Sequence, residues 1–319
     1  MEESKDSFDK SEKSYQKDIY DKLNKKEFTN PPNYSNNLNQ NNCKISKENK
    51  TLLEKLSKIT KFSLISPLEI LYKEQYGIFN KTTKEREKCP ICLCEFYDDI
   101  IGDDTQNIKL KDFESDYYPH EIDTLKLFRC EDHFYHIECL LNYIKGQAGF
   151  KCAICQKIYG VIIGNMPNGT MIANISDKIH CDGYPKNETI TIKYTFPNGT
   201  INGKKYTGTL RLCYIPNTKN GRILLGLLKI AFDRKLTFVV GTSVTTGQKD
   251  TVVWNGIHHK TSLNGGAVHY GFPDPTYFNR VCEELAAKGV NKEDFDEKEL
   301  ELLANYLLYN NILKNLPKK

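Results

Sequence analysis

The sequence predicts an α+β protein in which a disordered N-terminal tail precedes a small cysteine- and histidine-rich domain and then a larger mixed α/β domain. Three observations support this prediction. Cysteines and histidines recur in close pairs over residues 89–155, apolar residues follow strand-like and helix-like periods over residues 166–290, and residues 1–48 show neither pattern. A chain of 319 residues has room for two domains of ordinary size.

The first 88 residues divide into a tail and a lead-in. Residues 1–48 are rich in Lys, Asn, Ser and Asp and contain the run NPPNYSNNLNQNN, a composition that predicts a disordered low-complexity tail. In the segment 49–88, Leu52, Leu53, Leu56 and Ile59 recur at helical spacing and predict a helix near residues 49–61. This helix either simply leads into the next domain, or packs on that domain or on a partner helix.

The overall composition bears on location and partners. The 45 basic residues are nearly matched by 41 acidic ones, which does not favour sequence-specific binding of nucleic acid. The start MEESKDSFDK lacks the apolar stretch of a signal peptide, and no run of 18 apolar residues predicts a membrane span. We therefore expect a cytoplasmic or nuclear protein without a membrane partner, whose thiols are reduced. Eleven cysteines in such a compartment indicate metal binding.

Eight candidate metal ligands occur as four pairs, each separated by two residues. They are Cys89, Cys92, Cys130, His133, His136, Cys139, Cys152 and Cys155. A two-residue separation lets one turn present two side chains to the same ion, and two tetrahedral Zn²⁺ sites need eight ligands. Buried cysteines of an ordinary core would not recur in four such pairs. Cys94 follows Cys92 closely and is either a spare thiol or a competing ligand.

This spacing resembles the RING finger over residues 89–160, in the form with two central histidines. The resemblance implies a cross-brace with two zinc ions. It assigns one ion to Cys89, Cys92, His136 and Cys139, and the other to Cys130, His133, Cys152 and Cys155. A RING finger has no catalytic residue of its own. It binds an E2 enzyme charged with ubiquitin and orients the thioester for attack, so the resemblance implies E2 and ubiquitin as partners.

The resemblance also implies an E2-binding surface. It places Ile91, Leu140 and Ala153 at the apolar contact positions, although Ile91 and Leu140 could instead pack in the core. Gln156 directly follows the last ligand, where many RING fingers carry Arg or Lys to hold ubiquitin in a closed position. Glutamine donates hydrogen bonds but carries no charge, so we expect weaker activation of the thioester.

The C-terminal half alternates between strand and helix patterns. TITIKYTF, TGTLRLCYIP, LTFVVG and DTVVWN predict strands, and Asn198–Gly199 predicts a turn after the first of them. GRILLGLLKIAF predicts a helix. The segment PDPTYFNRVCEELAAKG predicts another, with Asp274 as its N-cap and Gly289 just past its end. A last helix, capped by Asp296 and Glu299, forms an extension over residues 293–319.

Long segments of this half resemble the Deltex C-terminal domain, over residues 161–292. They are YTGTLRLCYIPNTKNGRILLGLLKIAF, LTFVVGTSVTTGQKDTVVWNGIHHKT and YGFPDPTYFNRVCEELAAKG. The Deltex family are RING-type E3 ubiquitin ligases, and the order of the two domains here is theirs. The resemblance implies a cleft for ADP-ribose or NAD⁺, recruitment of ADP-ribosylated proteins and, as in some members, transfer of ubiquitin to a ribose hydroxyl.

The loop GTSVTTGQ, residues 241–248, is a candidate cradle for the diphosphate. Its glycines permit a tight bend, and its amides and hydroxyls can donate hydrogen bonds to an anion, although a plain turn has the same composition. The candidate residues are Gly241, Thr242, Ser243, Thr245, Thr246 and Gly247. Arg211 on a neighbouring strand either clamps a phosphate or only caps the sheet.

Two adjacent histidines follow the last predicted strand. On an extended chain they face opposite ways, so they do not share a metal ion. The resemblance assigns His258 to the ligand cleft and leaves His259 with a structural role. It also assigns Tyr270, where the family has His or Tyr, and Glu284, where the family has an acidic residue. A carboxylate on the cleft side of a helix can take a proton from a hydroxyl nucleophile, or it can merely bond a backbone group.

Two functions from different classes follow from these patterns. The first is a RING-type E3 ubiquitin ligase that uses Glu284, His258 and Tyr270 in transfer. The second is a non-catalytic, zinc-stabilised reader of ADP-ribosylated proteins. The neutral Gln156, and the presence of Tyr270 instead of His at a position where the family has either, favour the second.

Overall fold

A computed structural model describes residues 47–57, 59–60, 62–65, 87–96, 123–130, 133–145 and 147–314. The predicted tail lies outside these residues except for its last two positions, which begin the first helix. The chain divides into two compact units, with the boundary between Val161 and Ile162.

The first unit combines short strands with two helices. Its elements are α1 (Lys47–Ser57), β1 (Phe62–Ile65), β2 (Thr124–Leu127), β3 (Phe134–His136), α2 (Ile137–Ile144), β4 (Gly149–Lys151) and β5 (Ile158–Gly160). The first three strands form an antiparallel sheet in the order β1-β2-β3, and β4 pairs with β5 as a hairpin. The predicted lead-in helix is confirmed, but it ends at Ser57, four residues earlier than predicted.

The lead-in helix belongs to the core of the first unit. Leu53 and Leu56 of α1 are buried together with Leu125 and Leu127 of β2. Helix α1 packs against α2, which buries Ile137, Leu140 and Ile144. Of the alternatives that the sequence left open, the structure therefore shows packing on the following domain and not a simple lead-in.

The second unit is built around an antiparallel sheet with helices packed against it. Its elements are β6 (Thr170–Ser176), β7 (Thr189–Phe196), β8 (Gly199–Ile201), β9 (Lys204–Tyr206), β10 (Thr209–Pro216), α3 (Lys219–Asp233), β11 (Phe238–Gly241), β12 (Thr251–Trp254), α4 (Tyr277–Ala287), a short 3-10 helix (Lys292–Asp294) and α5 (Glu297–Lys314). The sheet has the order β10-β7-β6, and β8–β9 and β11–β12 form separate hairpins.

The alternating pattern of β7 sets the buried face of the sheet. Its apolar residues, from Ile190 to Phe196 at every second position, are all buried, as predicted. The turn after it differs from the prediction. Gly199 begins β8, and the tight turn lies between β8 and β9 at Asn202–Gly203, where both residues have positive φ (49° and 78°). A two-residue hairpin needs this conformation at both positions, and Asn-Gly adopts it readily.

One predicted helix start is wrong and another is confirmed. Helix α4 begins at Tyr277 behind Thr276, so Asp274 is not its N-cap. At the other helix, Asp296 Oδ1 accepts the amide of Lys298 at 2.8 Å, as a cap should. Gly289 has a φ of 86° just past the end of α4, as predicted.

The C-terminal extension is part of the second unit's core. Leu300, Leu303 and Ala304 of α5 are buried in the same cluster as the sheet and α3. The contact between the helices is close, because a Cβ at Gly226 of α3 would lie 2.6 Å from the carbonyl oxygen of Leu300. The helices in the described ranges include none long and apolar enough to cross a bilayer.

Candidate functional site

The structure brings the eight candidate metal ligands together as two groups of four. One group contains Cys89, Cys92, His136 and Cys139, the other Cys130, His133, Cys152 and Cys155, and the ligand atoms of each lie within 4.8 Å of one another. This is the grouping that the RING resemblance implies. Around a tetrahedral zinc ion, with bonds of about 2.0–2.3 Å, neighbouring ligand atoms lie about 3.5–3.8 Å apart.

The separations within both groups match that geometry. Cys92 Sγ and His136 Nδ1 are 3.3 Å apart, and Cys139 Sγ lies 3.9 Å from the same nitrogen. In the second group, Cys130 Sγ and Cys155 Sγ are 3.7 Å apart, and Cys152 Sγ lies 3.5 Å from His133 Nδ1. Each group could therefore hold one zinc ion.

Local backbone geometry explains how the cysteine pairs converge. Cys89 and Cys92 lie in a turn closed by the bond from Leu93 N to Cys89 O, and Leu93 has a φ of 64°. Cys152 and Cys155 lie in the turn between β4 and β5, closed by the bond from Gln156 N to Cys152 O, and Gln156 has a φ of 62°. The two turns are alike, so each presents two sulfurs to one point.

The close approach of thiols in the second group favours the binding of a cation there. The hydrogen bond between Cys130 and Cys152 raises the pKa of the Cys130 thiol and lowers that of Cys152. The two sulfurs thus compete for one proton, and a divalent ion can replace that proton. The ten described cysteines are all free of disulfides. Cys94 is exposed, belongs to neither group, and directs its Sγ to the carbonyl of Cys92 at 3.7 Å, which agrees with a spare thiol.

For Leu140, one residue of the predicted E2-binding surface, the structure favours the alternative of packing in the core. Leu140 is fully buried because it shares the inner side of α2 with Ile137 and Ile144. Ile91 and Ala153 are half-buried at the edge of the same core. The large apolar side chains that are exposed among the described residues of this unit are Leu93, Phe128, Tyr143 and Ile154. The helical period of α2 could have indicated Tyr143, since it lies off the buried stripe.

The side chain of Gln156 folds back on its own turn. Its Nε2 donates to the carbonyl oxygens of Cys152 at 3.2 Å and Ala153 at 3.3 Å. The neighbouring Lys157 donates to the carbonyl of Arg129 at 2.7 Å. Both side chains therefore stabilise the metal-binding turns.

In the second unit, His258 and Glu284 form a close pair. The carboxylate of Glu284 accepts two bonds, from the backbone amide of His258 at 2.7 Å and from its Nδ1 at 2.5 Å. An ionised carboxylate can only accept, so Nδ1 is the donor in this pair, and the Nε2 lies at the far side of a ring whose side chain is 57% exposed. Glu284 lies beside the buried stripe of Tyr277, Val281 and Leu285, as predicted.

His259 points the other way and is structural. Its Nδ1 lies 2.9 Å from the carbonyl of Ile257, its Nε2 lies 3.0 Å from the hydroxyl of Tyr194, and its ring stacks on Trp254 at 4.2 Å. Burial lowers the pKa of His259 to about 4, so the ring is neutral. It donates to the carbonyl and accepts from the tyrosine.

An ion-pair cluster missed at the level of sequence fixes the histidine segment against α4. Lys260 Nζ lies 2.6 Å from Asp274 Oδ2, with both side chains almost fully buried, and Arg280 donates to the same oxygen at 2.9 Å. Thr276 donates to Oδ1 from its amide and hydroxyl. Although burial alone would raise the pKa of Asp274, these bonds hold it below its usual range. No local pattern links Lys260 to Asp274.

Tyr270 lies on the loop between these elements. Its φ is 55°, its side chain is 60% exposed, and its carbonyl accepts the amides of Thr261 and Ser262 at 3.0 and 3.1 Å. These bonds close residues 261–271 into a compact loop that presents the phenol to solvent. His269 is also exposed on this loop.

The candidate diphosphate loop uses much of its own hydrogen-bonding capacity. The amides of Ser243 and Gly247 donate to carbonyls inside the loop at 2.8 Å. The amides of Thr246 and Gln248 donate to the hydroxyls of Ser243 and Thr246. Those four amides are not directed outward, which corrects part of the prediction. The hydroxyl protons of Ser243, Thr246 and the exposed Thr242 and Thr245 can still donate.

Arg211 lies half-buried on the inner face of β10, opposite Tyr194 of β7. Its guanidinium donates to the carbonyl of Leu210 at 3.2 Å. The same face carries Tyr194, which bonds His259, so Arg211 is on the histidine side of the sheet. Gly241 ends β11 opposite Thr251, which forms a bridge to Thr207. The loop therefore begins close to the start of β10.

Comparison with known proteins identifies the second unit. Residues 163–290 match the Deltex C-terminal domain. The chain is 36% identical over 217 residues to the human probable E3 ubiquitin-protein ligase DTX3. The aligned residues make up 66% of this chain and 54% of that protein. It is 41% identical over 178 residues to human E3 ubiquitin-protein ligase DTX1 (52% and 28%) and 40% identical over 179 residues to mouse E3 ubiquitin-protein ligase DTX4 (53% and 29%).

The chain thus spans about half the length of the DTX3 protein that it matches, and less of the other two. The match to the domain covers β6 through α4, including His258, Tyr270 and Glu284. The two cysteine–histidine groups precede it directly in the sequence. Residues 163–290 are therefore a Deltex C-terminal domain.

Proposed function

We propose that this protein is a zinc-dependent E3 ubiquitin ligase whose C-terminal domain recruits ADP-ribose, NAD⁺ or ADP-ribosylated proteins. One observation about the order of the chain carries this proposal. Two complete groups of four metal ligands are followed directly by a Deltex C-terminal domain. Zinc would hold the metal-binding turns of the first unit in place, and the second unit would supply the acceptor for ubiquitin. A reducing cytoplasmic or nuclear compartment fits ligands that must stay thiolates.

The first unit would bind E2 through apolar side chains beside its metal-binding turns. Ile91 and Ala153 are half-buried there, and Ile154 at 49% exposure and Tyr143 at 43% offer further apolar surface. Ile91 lies inside the first cysteine turn, and Ala153 and Ile154 lie inside the last one. Since zinc fixes both turns, it would also fix this surface.

The pair of His258 and Glu284 supports a role in acyl transfer. A ribose hydroxyl of ADP-ribose would attack the thioester carbonyl between E2 and ubiquitin, its proton would pass to His258 Nε2, and the E2 thiolate would leave as the ester forms. Because both oxygens of Glu284 bond His258, Glu284 would orient and stabilise the imidazole rather than take the proton itself. Tyr270 would orient the ribose hydroxyl or stack on the nucleobase of ADP-ribose.

The remaining candidates would bind the diphosphate. The hydroxyls of Thr242, Ser243, Thr245 and Thr246 surround a bend between Gly241 and Gly247, and Arg211 offers the guanidinium on the adjoining strand. Hydroxyls donate to phosphate without adding charge, so we expect Arg211 to carry more of the affinity. A lysine of the target protein is the alternative acceptor for ubiquitin.

A reconstituted reaction tests this proposal. The full chain with E1, several E2 enzymes and ubiquitin should form ubiquitin conjugates, and Ile91→Ala should reduce them while zinc content stays at two. With ADP-ribose added, a ubiquitin ester should form that hydroxylamine cleaves. His258→Ala should abolish ADP-ribose binding in calorimetry and the ester together. Glu284→Gln should retain binding but slow ester formation.

A non-catalytic reader of ADP-ribosylated proteins is the second candidate function. It is favoured by Gln156, which is neutral and already bonded to the carbonyls of Cys152 and Ala153. Binding of ADP-ribose without conjugates from any E2 would favour the reader. Conjugates that disappear with Ile91→Ala would exclude it.

A further inference from the structure

Two buried tyrosines contact the second group of metal ligands. The hydroxyl of Tyr135 lies 2.9 Å from Cys152 Sγ, and the hydroxyl of Tyr159 lies 2.9 Å from Cys130 Sγ. Neither side chain is exposed to solvent. Each phenol therefore reaches a different sulfur of the same group from within the protein.

The direction of these bonds follows from the neighbouring contacts. The Tyr135 oxygen accepts the amide proton of Ala153 at 3.2 Å, so its own proton is left to point at Cys152 Sγ. A zinc-bound cysteine is a thiolate and has no proton to give, so a tyrosine hydroxyl next to it must be the donor. The same reasoning makes Tyr159 the donor to Cys130. Hydrogen bonds to an ionised acceptor are the strong ones.

Packing keeps both phenols in place. The ring of Tyr159 stacks on Phe150 with centroids 5.4 Å apart, and the guanidinium carbon of Arg129 lies 4.9 Å above it. Tyr135 belongs to β3 and is paired with Leu125 of β2. With the rings fixed in this way, the hydroxyls cannot turn towards water.

The first group lacks this arrangement within the described part of the chain. The thiol of Cys89 is contacted by the side chain of His136 and by the backbone at Ile91, Cys92 and His136. The thiol of Cys94, which lies outside the group, donates to the carbonyl oxygen of Cys92 and not to its sulfur. Each group has one exposed cysteine, Cys92 in the first and Cys155 in the second. The two groups therefore differ in the hydroxyl donors to their sulfurs.

We propose that Tyr135 and Tyr159 are positioning residues that donate hydrogen bonds to the Cys152 and Cys130 thiolates and make the second zinc ion slower to leave than the first. The inference rests on zinc occupying both groups, as in the proposed function. The donated bonds stabilise the thiolate form and withdraw its charge from competing protons and chelators. Through the amide of Ala153, Tyr135 also fixes the turn that carries Ala153 and Ile154.

Zinc release from the full-length, zinc-loaded protein tests this inference. Excess chelator with a metallochromic dye should release the two ions of the wild type in a fast and a slow phase, and Cys92→Ser should remove the fast one. Tyr135→Phe and Tyr159→Phe keep the rings and should each speed the slow phase by about 10-fold. Tyr143→Phe is the control, since its half-exposed ring contacts Phe150 but lies outside the ligand groups, and should change neither phase.

Cobalt provides a signature that a loss of packing would not give. In the Co²⁺-substituted protein, removing a bond to a thiolate should move the sulfur-to-cobalt charge-transfer band to longer wavelength in both tyrosine variants, but not in Tyr143→Phe. Release rates within twofold of wild type, with an unmoved band, would overturn the inference and leave a two-zinc ligase standing. A wild type that holds fewer than two zinc ions would overturn both.

Discussion

Different interactions stabilise the interiors of the two units of this protein. In the first unit, eight cysteine and histidine ligands surround two small volumes, and two of those ligands, Cys130 and Cys152, are themselves part of the apolar core. In the second unit, one apolar cluster runs from Met166 to Leu308 with no metal group among the described residues. Bound metal ions often stabilise a small domain that buries little apolar surface, whereas a larger domain can rely on its apolar core.

Removal of the two proposed zinc ions should have the largest effect, and only on the first unit. Structural zinc contributes about 10–16 kcal/mol of apparent free energy in small zinc domains, which exceeds the stability of most domains. We expect a strong chelator, or Cys152→Ser, to unfold the first unit while the second keeps its melting transition. Differential scanning calorimetry with zinc analysis measures both. Joint loss of the two transitions would contradict the independence of the units.

A cavity in the core of the second unit should destabilise that unit and leave the first unit unchanged. Phe238 is fully buried against Tyr194, Phe196 and Trp254. Phe238→Ala should lower the free energy of unfolding of the second unit by about 3–5 kcal/mol. Urea unfolding followed by the fluorescence of Trp254, the one tryptophan of the chain, reports this unit alone. Zinc content should stay at two, and a loss of zinc would argue against the comparison.

Acid should weaken the second unit through His259. The pKa of His259 falls from 6.5 to about 4 on burial, so the unfolded chain takes up the proton first. The neutral ring therefore contributes stability above pH 6.5 that is lost as the pH falls towards 4, by at most about 3 kcal/mol. Unfolding monitored by Trp254 should show this slope. His259→Gln, which can still accept from Tyr194, should flatten it; an unchanged slope would assign the effect to other groups.

The smallest expected effect concerns the contact between α3 and α5. Alanine in place of glycine inside a helix ordinarily adds about 1 kcal/mol of stability. At Gly226 the added Cβ would lie 2.6 Å from Leu300 O, so Gly226→Ala should instead destabilise the second unit by about 1–3 kcal/mol. Thermal unfolding measures the sign. A raised melting temperature would mean that α5 is held less tightly than the structure indicates.

Local and repeated patterns were the predictable part of this molecule. The strand β7, the stripe on α4 and the cap at Asp296 follow from periods of two and 3.6 residues and from cap chemistry, all of which act over a few positions. The four close ligand pairs were equally visible, but their division into two groups needed the family resemblance. Leu140 could have been placed in the core from the Ile137–Leu140–Ile144 spacing alone.

Contacts between distant positions could not be predicted in this way. Asp274 precedes a proline and a helical pattern, so it was predicted to be a cap, yet a buried lysine 14 residues earlier binds it. The bonds of His258 to Glu284 join positions 26 apart. Such pairs depend on how strands and helices come together, which spacing along the chain does not determine.

The packing of α5 has a practical consequence for fragments of this protein. A fragment that ended at residue 290 would contain every strand of the second unit but none of Phe295, Leu300, Leu303 or Leu307. The side chains of α3 and β6 that these residues cover would then face water as a continuous apolar patch. Such a fragment should self-associate or precipitate during purification, whereas one that extends through Lys314 should remain monodisperse.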